Sequence, residues 1–136
     1  MTLPSKASHG RQIPPDDASA AGAAGLRAFA RIAELWHLSI AEQLILLGLS
    51  SRSTYFKWRK EHQVRLPRDT LERISYILGI YKALQLLLPD TRAADEWVRR
   101  PNDAAVFGGR SALDRMLSGN VADLYIVRQY LDAQRG

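Results

Sequence analysis

The chain has 136 residues, of which 46% are hydrophobic and 24% charged, a composition that suits one globular domain or two small packed subdomains. It contains no cysteine, which excludes disulfide bonds, thiolate metal sites and a cysteine nucleophile and agrees with the cytoplasmic location that we expect. Its apolar runs are far shorter than the roughly 20 residues that cross a bilayer, so we expect no membrane partner.

The net charge of +5 is concentrated in one short stretch. Residues 1–49 are balanced, residues 50–73 carry seven basic and three acidic side chains, and residues 74–136 carry eight and seven. A local excess of this kind is typical of a surface that binds a polyanion. The charge therefore points to one part of the chain rather than to a uniformly basic protein.

The first 22 residues lack an apolar face. They contain three prolines, two adjacent aspartates and a tract of Ala, Gly and Ser, and such a composition buries too little apolar surface to offset chain entropy. We therefore predict a disordered arm over residues 1–22. From Leu26 to Trp36 apolar residues recur at helical spacing, which predicts an amphipathic helix that ends near His37.

Two short helices joined by a glycine are predicted next. Ser39 and Glu42 fit a capping box at the start of the first helix, and Gly48 supplies the left-handed residue that ends it. Ser50 or Ser51 can cap the second helix, which extends to about residue 60. This order predicts a helix-turn-helix, the central part of a DNA-binding domain over residues 23–66.

The second of these helices has an inner and an outer face. Tyr55 and Trp58 are three residues apart and are expected in the core, with Phe56 at the margin. The remaining polar and basic residues are the predicted DNA contacts, with Arg59 and Lys60 on phosphates and, toward the bases, Ser51, Arg52, Ser53, Thr54 and Lys57. An αα-hairpin with a solvated basic face has the same pattern, but the coincidence of capping box, glycine turn and local charge favours DNA binding.

The C-terminal half is also predicted to be helical. A long helix begins after Pro67 and ends before Pro89, short helices follow around Trp97 and after Ser111, and the last one starts at Asn120. No segment alternates polar and apolar residues with a period of two. We therefore predict an all-α fold.

No catalytic or metal site emerges from the sequence. The three histidines, His9, His37 and His62, lack the close helical spacing of metal ligands. Asp95 and Glu96 are adjacent on a helix and point in different directions, which is poor geometry for paired acid–base catalysis. We predict that the protein is not an enzyme and holds neither a cofactor nor a metal ion.

A series of motifs runs through the chain from about residue 26 to its end. They are Leu66–Ser75, Leu78–Leu84, Trp97 with Pro101-Asn102, Phe107–Leu113, Met116–Gly119 and Val127–Asp132. Each is weak by itself, but their order is specific. Together they resemble the Xre/MbcA/ParS antitoxins of bacterial toxin–antitoxin pairs, in particular the Xre partner of RES-domain toxins.

The resemblance implies an Xre-like helix-turn-helix followed, over residues 67–136, by a helical dimerisation and toxin-binding domain. It implies as partner a RES-domain toxin, which consumes or transfers from NAD and is neutralised when the antitoxin covers its active site. The C-terminal end of such antitoxins lies nearest that site, so the implied toxin contacts are Arg128, Tyr130, Leu131, Gln134, Arg135 and Gly136. Without the resemblance, the pattern of these residues predicts only a solvated helix end.

The resemblance and the helix-turn-helix together predict an antitoxin that binds operator DNA and represses its own operon. A homodimer is expected because helix-turn-helix proteins usually read two half-sites about one DNA turn apart, and a larger complex would form with the toxin. The alternative is a stand-alone transcription regulator whose C-terminal helices only dimerise.

Overall fold

The computed structural model describes residues 15–136. In this part of the chain the secondary structure is helical, and its one β-type contact is an isolated bridge between Pro101 and Ser111. The predicted all-α fold is confirmed. The helices are α1 Pro15–Leu35, α2 Ile40–Leu47, α3 Arg52–Lys60, α4 Arg68–Leu87, α5 Thr91–Glu96, a 3₁₀ turn Trp97–Arg99, α6 Ala112–Met116 and α7 Val121–Gln134.

Helix α1 starts earlier than predicted. Because it begins at Pro15, the prediction of a disordered arm is wrong for residues 15–22, while residues 1–14 lie outside the described part of the chain. The alanine-rich tract favours a helix, and tertiary contacts hold it. A side chain at Gly22 would overlap the carbonyl oxygen of Val64, and the Val64 N–H donates to the Ser19 carbonyl at 3.1 Å.

The end of α1 is closed by a residue in the left-handed region. His37 has φ +57°, its N–H donates to the Glu34 carbonyl at 3.1 Å, and the Leu38 N–H donates to the Ala33 carbonyl at 2.9 Å. This is the Schellman arrangement, usually made with glycine. It reverses the chain into α2 within a few residues.

The predicted helix-turn-helix is formed by α2 and α3. Ser39 and Glu42 make the expected capping box at 3.1 and 2.8 Å, and Gly48 has φ 71°. Ser51, rather than Ser50, caps α3 by accepting from the Thr54 N–H at 3.1 Å. The local signals in the sequence therefore placed the start of α2 at Ser39, and the structure decided between the two candidate caps of α3.

Helix α4 lies at the centre of the molecule. It packs against α1 on one side and α7 on the other, and its buried residues include Ile77, Ile80 and Leu84. At its N-terminal end Arg73 reaches Gly119, just before α7, and further along Gly79 lies against Arg128. The two helices therefore run in the same direction, and both end on the same side of the protein.

Candidate DNA and partner interfaces

The outer face of α3 carries the residues predicted to contact DNA. Arg52, Ser53 and Lys57 are exposed, as are Arg59 and Lys60. The predicted inner and outer faces are thus both observed, because Tyr55 is fully buried and Trp58 packs against the core.

Two predicted DNA contacts have structural duties as well. The Ser51 side chain caps α3 and lies 3.0 Å from the Ser53 hydroxyl, and Thr54 is half-buried. Ser51 and Thr54 lie at the start of α3, and recognition helices usually contact bases from their N-terminal residues.

A buried hydrogen-bond chain fixes the orientation of α3. The Tyr55 hydroxyl donates to the Gln43 side-chain oxygen at 2.6 Å, and the Gln43 amide donates to the Leu38 carbonyl at 3.0 Å. Burial raises the pKa of Tyr55, partly opposed by the positive charge of Arg59. Since the phenol stays protonated, it remains a donor, and α3 stays tied to α2 and to the end of α1.

Two arginines flank the exposed ring of Phe56. The guanidinium carbons of Arg52 and Arg59 lie 6.0 and 5.9 Å from its centroid. Contacts of this kind, at exposed sites, contribute roughly 0.5–1 kcal/mol and restrict the arginine side chains. The two cations are therefore held on the outer face of α3.

The basic residues around α3 lack acidic partners. In the described part of the chain, six of them have no carboxylate within the 4.0 Å of an ion pair, namely Arg52, Lys57, Arg59, Lys60, Arg65 and Arg68. All seven arginines after residue 90 do have one. Exposed cations without an acidic partner are free to contact phosphates.

The residues predicted to bind a toxin lie on α7 or directly after it but do not share one environment. Gln134, Arg135 and Gly136 are exposed, whereas Leu131 is buried in the core. The buried position follows from the tertiary packing of α7 against α4, so Leu131 is not exposed to a partner as Gln134, Arg135 and Gly136 are. The resemblance implied six residues as toxin contacts, and among them Leu131 is the one that the structure buries.

Two of these residues are held by neighbours within the chain. The Arg128 guanidinium lies on Gly79, where any side chain would overlap it, and pairs with Asp132 at 3.2 Å. Asp132 also pairs with Arg135 at 3.5 Å. A partner that binds either arginine therefore competes with Asp132.

Tyr130 belongs to a cluster of three aromatic rings. Its ring centroid lies 6.5 Å from that of Trp97 and 5.1 Å from that of Phe107, and the last two are 5.9 Å apart. Phe107 lies in a loop closed by Asn102, which exchanges backbone hydrogen bonds with Gly109 and Arg110 at 2.9 and 3.0 Å. Trp97 and Phe107 thus hold Tyr130, and with it the C-terminal part of α7, in position.

Arg73 is an important residue that sequence reasoning missed. It is 9% exposed, pairs with Asp69 at 2.9 Å and donates to the carbonyls of Ile45 and Gly119 at 3.4 and 2.9 Å. A side chain at Gly48 would collide with this guanidinium. Arg73 therefore joins the turn of the helix-turn-helix to the start of α7, and only its spacing from Asp69 is visible in the sequence.

Arg99 makes a second connection of this kind. It donates to the carbonyls of Trp36 and His37 at 3.0 and 2.7 Å and pairs with Glu42 at 3.3 Å. A cation at these carbonyls also compensates the negative end of the α1 dipole. The C-terminal half thus holds both the end of α1 and the start of α2.

Residues 15–136 contain no cluster of three or more acidic or histidine side chains that could hold a metal ion. None of the helices described is both long and apolar enough to cross a bilayer.

Comparison with known proteins identifies both halves of the chain. Residues 16–79 match the antitoxin Xre-like helix-turn-helix domain, and residues 83–136 match the antitoxin Xre/MbcA/ParS C-terminal toxin-binding domain. Helix α4 carries the junction between the two matches. A protein of Sinorhizobium fredii (strain NBRC 101917 / NGR234), "Uncharacterized protein y4oB", is 56% identical over 122 residues, which cover 90% of this chain and 92% of its own.

The class defined by this fold and these surfaces is a helix-turn-helix protein joined to a toxin-binding domain. The chain belongs to the Xre/MbcA/ParS antitoxin family.

Proposed function

We propose that this protein is the antitoxin of a type II pair whose toxin is a RES-domain enzyme that consumes or transfers from NAD. The observation that carries the proposal is the match of residues 83–136 to a toxin-binding domain, which includes all of α7. The RES assignment follows from the resemblance of the sequence motifs to the Xre partners of such toxins. No catalytic role is proposed for the antitoxin itself.

The antitoxin neutralises the toxin by covering its active site with the last turn of α7. Gln134, Arg135 and Gly136 are exposed at and just after the end of this helix, and Arg128 and Tyr130 are half-buried on two different flanks of it. The packing of α7 on α4 and the aromatic cluster hold this turn in place before the toxin arrives. A preformed surface loses less conformational entropy on binding.

The test is growth rescue when this chain is expressed with the toxin encoded by the adjacent gene. We expect the full chain to restore growth and a chain that ends at Asp132 to fail, because the truncation removes exposed residues and leaves buried Leu131 in place. Circular dichroism melting of the shortened chain controls for folding. Rescue by the shortened chain equal to that by the full chain would contradict this role of the last turn.

We further propose that the protein represses its own operon as a homodimer in the bacterial cytoplasm. Residues 23–66 form the DNA-binding part of this proposal and residues 67–136 the dimerisation and toxin-binding part. The six basic residues without acidic partners supply contacts to phosphates, and Ser51, Ser53, Thr54, Arg52 and Lys57 supply contacts to bases. Two copies of α3 would bind half-sites about 34 Å apart.

An electrophoretic mobility shift with the operon's own promoter tests this role. Arg52→Ala and Lys57→Ala should each weaken specific binding by about 5- to 150-fold, the equivalent of about 1–3 kcal/mol for a base contact. Lys82→Ala is the control, because Lys82 is exposed on α4 outside the helix-turn-helix. Unchanged specific binding in both α3 variants would refute the assignment. A stand-alone regulator would bind DNA and yet fail to rescue growth.

A further inference from the structure

We propose that a pocket between the ends of α4 and α7 receives one apolar side chain of the toxin, of about the size of leucine or phenylalanine. The pocket has a volume of about 160 Å³. Its lining combines four leucines, one of them the buried Leu131, with the rings of Trp97 and Tyr130 and the amide of Gln134. This inference rests on the proposed toxin partner and names what that partner inserts.

The lining of the pocket selects for an uncharged occupant. It includes no charged residue, whereas arginines line four other cavities in the described part of the chain. Burial of an unpaired charge among leucines and aromatic rings would be strongly unfavourable. The polar atoms available, on Gln134, Tyr130 and Trp97, can bind the backbone around an inserted side chain.

The size of the pocket fits a single side chain. An apolar cavity of about 150 Å³ in a protein interior holds a benzene molecule, so the volume here accommodates a phenyl or isobutyl group. Leu87 and Leu88 are half-buried, so the pocket offers apolar surface that water covers in the free protein. Filling it with an apolar group removes that surface from water.

The position of the pocket points to the toxin as the source of the occupant. All of its lining residues fall within the match to the toxin-binding domain, residues 83–136. Tyr130 and Gln134 also belong to the turn of α7 proposed to cover the toxin active site. Leu86 lies in the last turn of α4, beside the lining residue Leu87. Its side chain is 59% exposed, which is the largest exposed fraction among the exposed large apolar side chains of the described residues.

Interfaces are usually dominated by a few apolar or aromatic side chains that fill pockets near their centre. The pocket would serve as the receptor for such a side chain, and the exposed Arg135 and Gly136 follow its lining residue Gln134 in the chain. In this arrangement the pocket supplies affinity, and the exposed residues that follow Gln134 cover the active site.

The experiment measures the dissociation constant of the purified full chain with the toxin of the adjacent gene, for wild type and two pocket variants. Leu88→Asp places a carboxylate in the pocket wall, and Gln134→Trp fills the pocket from its edge without burying a charge. Each should raise the dissociation constant at least about 30-fold, as expected for the loss of a dominant interface contact. Melting curves identify any variant that fails to fold.

The matched controls are Leu71→Asp and Leu71→Trp. Leu71 lies on the same helix α4, is 43% exposed and lies outside the toxin-binding match, so both controls should bind the toxin as the wild type does. Folded Gln134→Trp with wild-type affinity, or equal losses in pocket and control variants, would overturn the pocket and leave the proposed function standing. A wild-type chain that does not bind the toxin would overturn both.

Discussion

The two ends of this protein use basic side chains in opposite ways. Around α3, between residues 52 and 68, six of them are exposed without an acidic partner in the described chain, whereas every arginine after residue 90 has one. Net charge alone suggests one polyanion-binding protein. The pairing pattern therefore divides the cations into an unpaired group around α3 and a paired group in the C-terminal half.

The C-terminal region depends on aromatic packing, and this is where the largest effect on stability is expected. Phe107→Ala removes the ring that contacts both Trp97 and Tyr130 and should lower the free energy of unfolding by about 3–4 kcal/mol. Phe56→Ala, at the exposed ring on α3, should lower it by less than about 1 kcal/mol. Urea denaturation measures both, and equal losses would remove the contrast between the regions.

The buried arginine that joins the two regions should give the next largest effect. Arg73→Ala leaves the carbonyls of Ile45 and Gly119 without their donor and should lower the free energy of unfolding by about 2–3 kcal/mol. Arg92→Ala is the control, because Arg92 is 86% exposed in its pair with Glu96 and such surface pairs contribute little. An Arg73 variant as stable as the Arg92 variant would contradict the structural role.

A smaller effect is expected from the paired acid at the start of α7, and it depends on pH. The Ser118 hydroxyl, donating at 2.6 Å, and the Arg115 guanidinium, at 2.9 Å, lower the pKa of Asp123. A depressed carboxyl pKa stabilises the fold at pH values above the ordinary carboxyl pKa of 3.8, and this stabilisation is lost as the pH falls through the folded-state value.

Asp123→Asn should therefore be less stable than the wild type at pH 7 by about 1 kcal/mol. The difference should shrink as the pH falls below about 4, where the wild-type carboxylate also becomes protonated. The urea midpoints of both proteins, recorded from pH 7 down to pH 2, measure this difference in stability. A difference that stays constant down to pH 2 would show that the charge of Asp123 is not its source.

The smallest change in free energy is expected for single phosphate contacts, and salt dependence reveals it. Lys60→Gln should reduce the slope of log affinity against log salt by about 0.9, the value for one phosphate on duplex DNA. Arg110→Gln removes the same charge from an arginine paired with Asp114 and should leave the slope unchanged. If both variants reduced the salt slope equally, a carboxylate partner would not decide whether a basic residue contacts phosphate.

Local signals made the helix-turn-helix predictable. The Ser39–Glu42 capping box, the left-handed Gly48 and the Tyr55 core position each depend on a few neighbouring residues, and all three are observed. The start of α1 was not predictable in this way. Its alanine tract has no apolar stripe of its own and is held by Val64 and Leu66, more than forty residues away.

The candidate site residues also differ in whether neighbouring residues were enough to predict them. The exposed face of α3 follows from helical periodicity, so the sequence identified those candidate DNA contacts directly. On α7 the family resemblance grouped Leu131 with exposed residues as a toxin contact, whereas the structure buries it against α4. The pocket beside Gln134 draws on three separate segments, so no spacing within one segment could reveal it.

The sequence by itself determined the all-α class, the helix-turn-helix and the location of the excess charge, because caps, turns and helical periodicity are properties of short segments. The tertiary structure decided which arginines are paired, because Arg73 and Arg99 find their partners in distant parts of the chain. It also decided that α4 and α7 end side by side and form a pocket lined by leucines, two aromatic rings and an amide, since helix direction and packing depend on the whole chain.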